Sequence, residues 1–285
     1  MNPPTDRPRI AVLIPCYNDG ELIGETLTSL LQDRDLEIVI IDDASTDEAT
    51  LETLRGLEAE GLTVVWRKEN GGVARARADG LQASSAPYVY PLDADDVTIP
   101  GTISQMADRL DEDPGAAVCF GDYEEFGLTE VVRAVPEHLD PFRVAYANEY
   151  PVSSLFRRSV LDDLGGWTAG GFDERSHEDW NLWMALVENG YRGVHLGPGQ
   201  ITYRRRLADG RLLGWGKQHH PMLYRKLKAA HPKLFADIDR YRRESDLPRS
   251  RKLLYPYIYG GRKRRAFEPK LKELLDRVGF WTLRR

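Results

Sequence analysis

The sequence predicts an α/β fold with a mostly parallel central sheet, followed by a helical extension at the C-terminal end. Two observations carry this prediction. Short apolar segments of strand length alternate with segments of helix length, which is the pattern of βαβ units. In addition, polar residues follow directly after three of the apolar segments, where ligands bind in parallel sheets.

In chain order, four short apolar segments are predicted to be buried strands. They cover residues 9–15, 36–41, 62–66 and 88–92. The segments between them are predicted to be helices, and in the first one Leu22, Ile23, Leu27 and Leu30 recur at helical spacing. These helices cover residues 21–31, 50–60 and 73–83.

The second half of the chain is less regular. Residues 116–123 have the composition of a further strand, 152–164 are mixed, and 179–189 have an amphipathic helical pattern that stops before Gly190. From residue 234 onward the sequence is charged and predicted to be helical. We therefore predict one α/β domain over residues 1–210 and a helical, basic extension over 211–285, within the usual range of domain size.

The composition is that of an ordinary globular protein, with 41% apolar and 29% charged residues. No apolar run approaches the roughly 18 residues that a membrane span requires, and the N-terminal residues lack the pattern of a signal peptide. Cys16 and Cys119 lie in apolar segments and are predicted to be buried free thiols, as expected in a reducing cytosol. We therefore expect a cytoplasmic protein.

Charge is distributed unevenly along the chain. The net charge is −6, yet residues 262–285 hold nine basic and three acidic residues, so the preceding 261 residues carry about −12. A body this acidic argues against nucleic acid as a partner, because phosphates would repel it. Residues 251–265 mix cations with aromatic side chains, and 267–281 are predicted to form an amphipathic helix. This segment suits an anionic membrane surface, and the alternative is a solvated helix packed on the body or on a second subunit.

Polar residues collect at three predicted strand ends, which lie at one edge of a parallel sheet. Tyr17, Asn18 and Asp19 follow the first strand, Asp42 and Asp43 the second, and Asp93, Asp95 and Asp96 the fourth. The sequence therefore predicts a single site at this edge.

The last of these groups, the acidic turn Asp93-Ala94-Asp95-Asp96, places three carboxylates within four positions. Oxygen ligands of this kind suit Mg²⁺ or Mn²⁺, which usually share their coordination with substrate phosphates. The alternative is a helix N-cap, with Asp96 or Thr98 capping a helix that begins near Pro100. Capping explains one carboxylate and leaves the other two unexplained.

Two further motifs each allow a structural and a functional interpretation. The Gly-rich turn Asn70-Gly71-Gly72 precedes Arg75 and Arg77, so it is either an anion-binding helix start or a plain loop with exposed arginines. The segment 177–180, His-Glu-Asp-Trp, opens a predicted helix, where carboxylates are favoured by the helix dipole. Its functional interpretation is a general base.

Together, five motifs in this order resemble those of the family 2 glycosyltransferases. The motifs are residues 14–18, 41–47, 70–77, 92–96 and 178–180. The resemblance covers roughly residues 9–205. It implies the GT-A fold, a Rossmann-like nucleotide-binding sandwich, and the inverting transfer of a sugar from a nucleoside diphosphate, most often UDP, to an acceptor hydroxyl.

The resemblance also implies roles for individual residues. The nucleotide-sugar pocket is expected to contain Pro15, Tyr17, Asn18, Asp42, Asp43, Asn70, Arg77 and Asp93. Within it, Tyr17 stacks on the base, Asp43 accepts from the ring N–H, and Arg77 lies near the donor phosphates. Asp95, with Asp93, is the expected ligand of Mn²⁺ or Mg²⁺. Asp179 is the expected catalytic base, with Glu178 beside it for the acceptor, and Asp96 has no assigned role.

One departure from the family pattern concerns residues 203–207. Many members have a His shortly after Tyr-Arg, whereas this chain has Tyr203-Arg204-Arg205-Arg206-Leu207. Either these arginines or His219 or His220 complete the diphosphate and metal site, and the sequence leaves both alternatives open.

The implied partners are a nucleotide-sugar donor and a glycan or lipid-linked acceptor, in cell-surface glycan or glycolipid synthesis. Peripheral contact with the inner membrane face through residues 251–285 and a homo-oligomer are further expectations. Two other functions fit the sequence less well. A sugar nucleotidyltransferase requires a Gly-rich first loop, which residues 15–19 do not resemble, and retention of Asp95 and Asp179 argues against a non-catalytic nucleotide-sugar-binding protein.

Overall fold

The computed structural model of the protein describes residues 8–172, 176–207 and 211–259, with the backbone alone for 211–217. Its strands are β1 (Ile10–Cys16), β2 (Leu36–Asp42), β3 (Thr63–Trp66), β4 (Tyr88–Pro91), β5 (Val97–Thr98), β6 (Ala116–Phe120), β7 (Asp122–Gly127), β8 (Val131–Arg133), β9 (Leu155–Arg157), β10 (Arg192–His195) and β11 (Ile201–Leu207). Its helices are α1 (Ile23–Ser29), α2 (Glu48–Ala59), α3 (Val73–Ala83), α4 (Thr102–Glu112), α5 (Pro141–Val144), α6 (Arg158–Leu164), α7 (Glu178–Glu188), α8 (Arg211–Ala230), α9 (Pro232–Ala236), α10 (Ile238–Glu244) and α11 (Arg249–Ile258). A 3-10 segment spans Gly166–Gly171.

The main sheet has seven strands in the order β10-β6-β9-β4-β1-β2-β3. Strand β9 runs antiparallel to both of its neighbours, and the other pairs are parallel. The predicted α/β class with a mostly parallel sheet is therefore confirmed, and the first four strands lie close to their predicted bounds.

Both faces of this sheet are buried, because side chains of β1 alternate between two cores. Ala11 and Leu13 pack on the side of α3 and α7, whereas Ile10, Val12 and Ile14 pack on the side of α1 and α4. Both cysteines are buried free thiols, as predicted, and burial raises the pKa of each to about 12.

A second, smaller sheet has the order β5-β11-β7-β8 and borders the site. The prediction of one strand over residues 116–123 is wrong, because the chain changes sheets at Gly121, between β6 and β7. A Cβ at Gly121 would lie 2.4 Å from the Thr202 side chain, so only glycine fits this crossing without a shift of its neighbour. The change of sheet depends on this contact with β11, which is distant in sequence.

The capping interpretation of the acidic turn is also wrong. Helix α4 begins at Thr102 behind Gly101, which has a φ of +79°. Asp96 instead accepts a hydrogen bond from the backbone N–H of Arg206 (2.8 Å), and the Thr98 hydroxyl donates to the Ser29 carbonyl (3.0 Å). Asp96 therefore connects the acidic turn to β11.

The C-terminal helices continue the main core. Leu223, Tyr224 and Leu227 of α8 and Leu234 of α9 are buried in the same cluster as Trp183 of α7. The domain boundary at residue 210 stays a prediction, and the predicted helix over 267–281 lies outside the described residues. No helix in the described part of the chain is long and apolar enough to cross a membrane.

Candidate active site

The ends of β1, β2 and β4 meet at one edge of the main sheet. Strand β1 pairs in parallel with both β2 and β4, and its register aligns Cys16 with Asp42. Pro15 is half-buried within β1, and Tyr17 just beyond the strand is 42% exposed. The side chain of Tyr17 is therefore accessible at this edge, as stacking on a nucleobase requires.

Asn18 and Asp42 order the loop between β2 and α2. Asn18 has a left-handed backbone (φ +60°), and its side-chain oxygen accepts hydrogen bonds from the N–H groups of Thr46 (2.8 Å) and Asp47 (3.0 Å). Asp42 is buried and accepts from the N–H of Ser45 (3.2 Å). Both residues thus shape the rim of the site, and their roles in nucleotide binding stay predictions.

The Asp43 carboxylate holds the Gly-rich turn against the end of β2. Its oxygens accept hydrogen bonds from the backbone N–H groups of Gly71 (2.9 Å) and Gly72 (2.8 Å), and Arg67 forms an ion pair with it. Asn70 donates from its side chain to the Asp43 carbonyl (3.1 Å). The N–H groups of the turn do bind an anion, but that anion is a carboxylate of the protein.

Arg77 of α3 joins the acidic turn to the start of α7. Its guanidinium donates to Asp93 (2.7 Å) and to Glu178 (2.9 Å), and it lies 5.8 Å from the ring centroid of Trp167. The residue is only 1% exposed. The structure therefore gives Arg77 two carboxylate partners, and its position near the donor phosphates stays a prediction.

Glu178 and Asp179 form the first turn of α7, behind His177 with a φ of +72°. Burial, reinforced by the charge of Asp179, raises the pKa of Glu178 to about 7 despite its ion pair with Arg77. Asp179 is more accessible than Glu178, and its two oxygens accept hydrogen bonds from the backbone N–H of Trp180 (2.7 Å) and from the Asn148 side chain (2.8 Å). An oriented, partly exposed carboxylate is what a general base requires.

The carboxylates of the acidic turn repel one another. Burial, together with the charges of Asp93 and Asp19, raises the pKa of Asp95 to about 6. Burial and the neighbouring charges of Asp93 and Asp95 also raise the pKa of Asp96, which is 3% exposed. A bound cation would offset this repulsion between the carboxylates.

A divalent metal ion fits the chemistry of this turn. No group of three or more His, Cys, Asp or Glu side chains within the described ranges is arranged to hold an ion alone. Asp95 and the partly exposed Asp93 would therefore supply one or two ligands, and donor phosphates and water would supply the rest, as is usual for Mg²⁺. The identity of the metal stays a prediction.

Of the residues left open in the sequence, Arg206 lies beside the acidic turn. Its side chain donates to the Asp95 carbonyl (3.1 Å) and pairs with Glu25. Arg204 instead pairs with Glu124 (2.6 Å). His220 stacks on Trp180 with ring centroids 5.9 Å apart, beside α7.

Asn148 was not identified from the sequence, although it contacts the expected base. It lies in the connection after α5, which contains no recognisable motif, and 31 residues separate it from Asp179. The contact arises from tertiary packing, so spacing along the chain contains no signal of it.

The sequence is similar to those of known proteins. Residues 11–165 match the family described as Glycosyl transferase family 2. The chain is 29% identical over 213 residues to the succinoglycan biosynthesis protein ExoU of Rhizobium meliloti (strain 1021), which covers 67% of this chain and 60% of that protein. It is 26% identical over 196 residues to the poly-beta-1,6-N-acetyl-D-glucosamine synthase of Staphylococcus aureus (strain COL), covering 64% and 47% respectively.

Solved structures with a similar fold include TarS residues 1–349 of S. aureus in complex with UDP-GlcNAc. The TM-score is 0.66 at 21% identity, covering 93% of this chain and 77% of that one. Mannosyltransferase PcManGT of Pyrobaculum calidifontis, in complex with GDP-Man and Mn²⁺, gives 0.53 at 21% identity, covering 91% and 82%. These likenesses concern the fold, and they confirm the predicted GT-A architecture.

The fold and the family match together define the class. The matched residues are more than half of the chain, which therefore belongs to glycosyl transferase family 2. The chain spans 60% and 47% of the lengths of the two curated relatives.

Proposed function

We propose that the protein transfers a sugar from a UDP-sugar to a hydroxyl group of a glycan acceptor, with inversion at the anomeric carbon. The observation that carries this proposal is the buried Arg77, which joins Asp93 after β4 to Glu178 at the start of α7. Through this connection the acidic turn and Asp179 lie on two walls of one site. Donor binding is assigned to the first wall and proton removal to the second.

In this reaction Asp179 is the general base. The acceptor oxygen forms a bond to the anomeric carbon while the bond from that carbon to the β-phosphate oxygen breaks, and the bonding electron pair leaves with UDP. The proton of the attacking hydroxyl passes to the Asp179 carboxylate. Because the acceptor attacks from the face opposite the leaving group, the configuration at the anomeric carbon inverts.

On the donor wall, Asp95 and Asp93 would hold Mn²⁺ or Mg²⁺. When bound, such an ion stabilises negative charge on the departing diphosphate. Tyr17 offers an exposed ring to the nucleobase, and the Gly-rich turn that Asp43 holds lies at the same edge of the sheet. Arg206, whose side chain already contacts the acidic turn, is the arginine we assign to the diphosphate in place of the family His.

The relatives favour a UDP-linked donor and a polysaccharide acceptor. A neighbour in fold is in complex with UDP-GlcNAc, and two relatives are named for succinoglycan biosynthesis and for synthesis of poly-beta-1,6-N-acetyl-D-glucosamine. We therefore propose UDP-GlcNAc or a similar UDP-hexose as donor, in the synthesis of a cell-surface glycan. GDP-mannose is the comparison donor, because another neighbour in fold binds it.

A donor screen tests the proposal. The full chain is incubated with UDP-GlcNAc, UDP-glucose, UDP-galactose or GDP-mannose, each with Mn²⁺, while melting temperature and nucleotide release are followed. A true donor in large excess over its Kd is expected to stabilise the protein by a few kcal/mol and to release its nucleotide slowly. Binding without turnover would instead support a non-catalytic nucleotide-sugar-binding protein, and no response to any donor would contradict the proposal.

We also propose peripheral contact with an anionic membrane surface through residues 251–285. In the described part of this segment, Leu253 and Tyr257 of α11 are each 65% exposed and one helical turn apart. We expect the full chain to cosediment with anionic vesicles and not with neutral vesicles, which serve as the control. Equal amounts of protein in both vesicle pellets would contradict this contact. A cytoplasmic location and a homo-oligomer stay predictions.

A further inference from the structure

We propose that Asn148 is a positioning residue for the general base, whose side-chain amide holds the Asp179 carboxylate in the orientation that receives the acceptor proton. This inference rests on the proposed function, because it assumes that Asp179 is the base. It adds a residue outside the five motifs that the sequence contains.

The contact itself is well defined. The Asn148 amide nitrogen lies 2.8 Å from one oxygen of Asp179, and the backbone N–H of Trp180 lies 2.7 Å from the other. A carboxylate only accepts hydrogen bonds, so the NH₂ group of Asn148 must face it. One donor on each oxygen fixes the plane of the carboxylate and leaves further lone pairs for the proton of the substrate.

The segment that carries Asn148 is fixed to the helices behind the base. The indole N–H of Trp180 donates to the Val144 carbonyl (2.7 Å), and the Tyr224 hydroxyl donates to the Ala145 carbonyl (2.8 Å). Ala147, next to Asn148, is 6% exposed. The side chain of Asn148 therefore reaches Asp179 from a backbone that is anchored on α7 and α8.

The chemistry of an amide suits this position. Within the described part of the chain, Glu178, Arg77 and His177 interact electrostatically with Asp179. A Lys or Arg in place of Asn148 would form an ion pair with the carboxylate and stabilise its ionised form, which would weaken it as a base. A neutral donor orients the carboxylate without adding a positive charge to the site.

Asn148 is exposed, so its replacement should leave the core packing intact. The variant Asn148→Ala removes the donor, and Asn148→Asp replaces it with a carboxylate of the same shape. The matched control is Asn189→Ala, an exposed asparagine that caps the far end of the same helix through the Ala185 carbonyl (2.9 Å). Nucleotide release from the donor identified in the screen is measured as kcat and donor KM, with water or acceptor as the attacking group.

We expect Asn148→Ala to lower kcat about tenfold, the effect of one hydrogen bond to a charged group, with the donor KM and the melting temperature unchanged. Asn148→Asp should be less active than Asn148→Ala at neutral pH, because of charge repulsion. The control should match the wild type.

Three results would overturn the inference. If the wild type turns over a donor and Asn148→Ala has the same kcat, Asn148 does not position the base and the proposed function stands. Asn148 is equally excluded as a positioning residue if Asn148→Ala loses activity only in proportion to lost stability. If the wild type turns over no donor, the proposed function fails, and the role of Asn148 fails with it.

Discussion

Replacement of Arg77 by methionine tests the connection between the two walls of the site. The Arg77 guanidinium is fully buried and forms ion pairs with Asp93 and Glu178. Methionine fills much of the same volume and removes the charge and both hydrogen bonds. Asp93 retains contact with water, since its side chain is 38% exposed, whereas Glu178 is left buried without its cation.

The magnitude depends on the charge of Glu178. Breaking a buried ion pair by removing one partner costs about 3–5 kcal/mol when the remaining charge stays ionised. The pKa of Glu178 is already raised to about 7 by burial, and loss of Arg77 raises it further. At low pH the carboxyl is therefore neutral, and the loss falls to that of hydrogen bonds to a charged group, about 1–3 kcal/mol.

The sign of the pH dependence follows from proton binding. A folded-state pKa above the ordinary value of 4.5 means that folded Glu178 holds a proton that the unfolded chain has released. Its contribution to stability is therefore full below that ordinary value and is lost as pH rises through the folded-state pKa. In Arg77→Met the folded-state pKa of Glu178 is higher still, so the folded variant loses more stability than the wild type as pH rises. The destabilisation caused by Arg77→Met should therefore grow with pH.

Urea unfolding of the wild type, Arg77→Met, Glu178→Gln and the double variant at about pH 5.5 and pH 8 measures these terms. We expect a larger penalty for Arg77→Met at the higher pH, and we expect Glu178→Gln to recover part of it. Arg55→Met, which breaks the exposed pair with Glu48, is the control and should cost less than about 1 kcal/mol. An Arg77→Met penalty that is equal at both pH values and unaffected by Glu178→Gln would refute the reasoning.

Two further substitutions follow from single contacts. Asp43→Asn places an NH₂ group against the backbone N–H groups of Gly71 and Gly72, so the free energy of unfolding in urea should fall by about 1–3 kcal/mol. The donor KM should rise more than kcat falls. An unchanged KM would contradict the role of this turn in donor binding. Trp180→Phe leaves the Val144 carbonyl without its hydrogen-bond donor, so we expect a stability loss of about 1–2 kcal/mol and a lower kcat. Wild-type values of both would show that the segment carrying Asn148 does not depend on this hydrogen bond.

The fold was predictable where local pattern and burial agree. Strand β1 carries an unbroken apolar run, and it is buried on both faces, so its composition indicated both the strand and the parallel sheet. The polar residues after β1, β2 and β4 indicated the edge where the site lies. These features depend on short stretches of sequence, which is why a single chain sufficed to find them.

Contacts between distant segments were not predictable in this way. The partners of Arg77 lie 16 and 101 residues away from it, and nothing in its helix distinguishes a buried arginine from an exposed one. The division of residues 116–123 depends on the approach of Gly121 to Thr202. In each case the determining neighbour is supplied by tertiary packing.

The most direct test of the proposed transfer reaction is nucleotide release by Asp179→Asn, which keeps the shape of the base and removes its capacity to accept a proton. Donor binding, measured by thermal shift, is expected to persist, while kcat should fall by roughly 10²–10⁴-fold, the usual contribution of a general base. Asp162→Asn, an exposed aspartate on α6, is the matched control and should behave as the wild type. Wild-type kcat in Asp179→Asn would contradict the assignment of the base and, with it, the proposed mechanism.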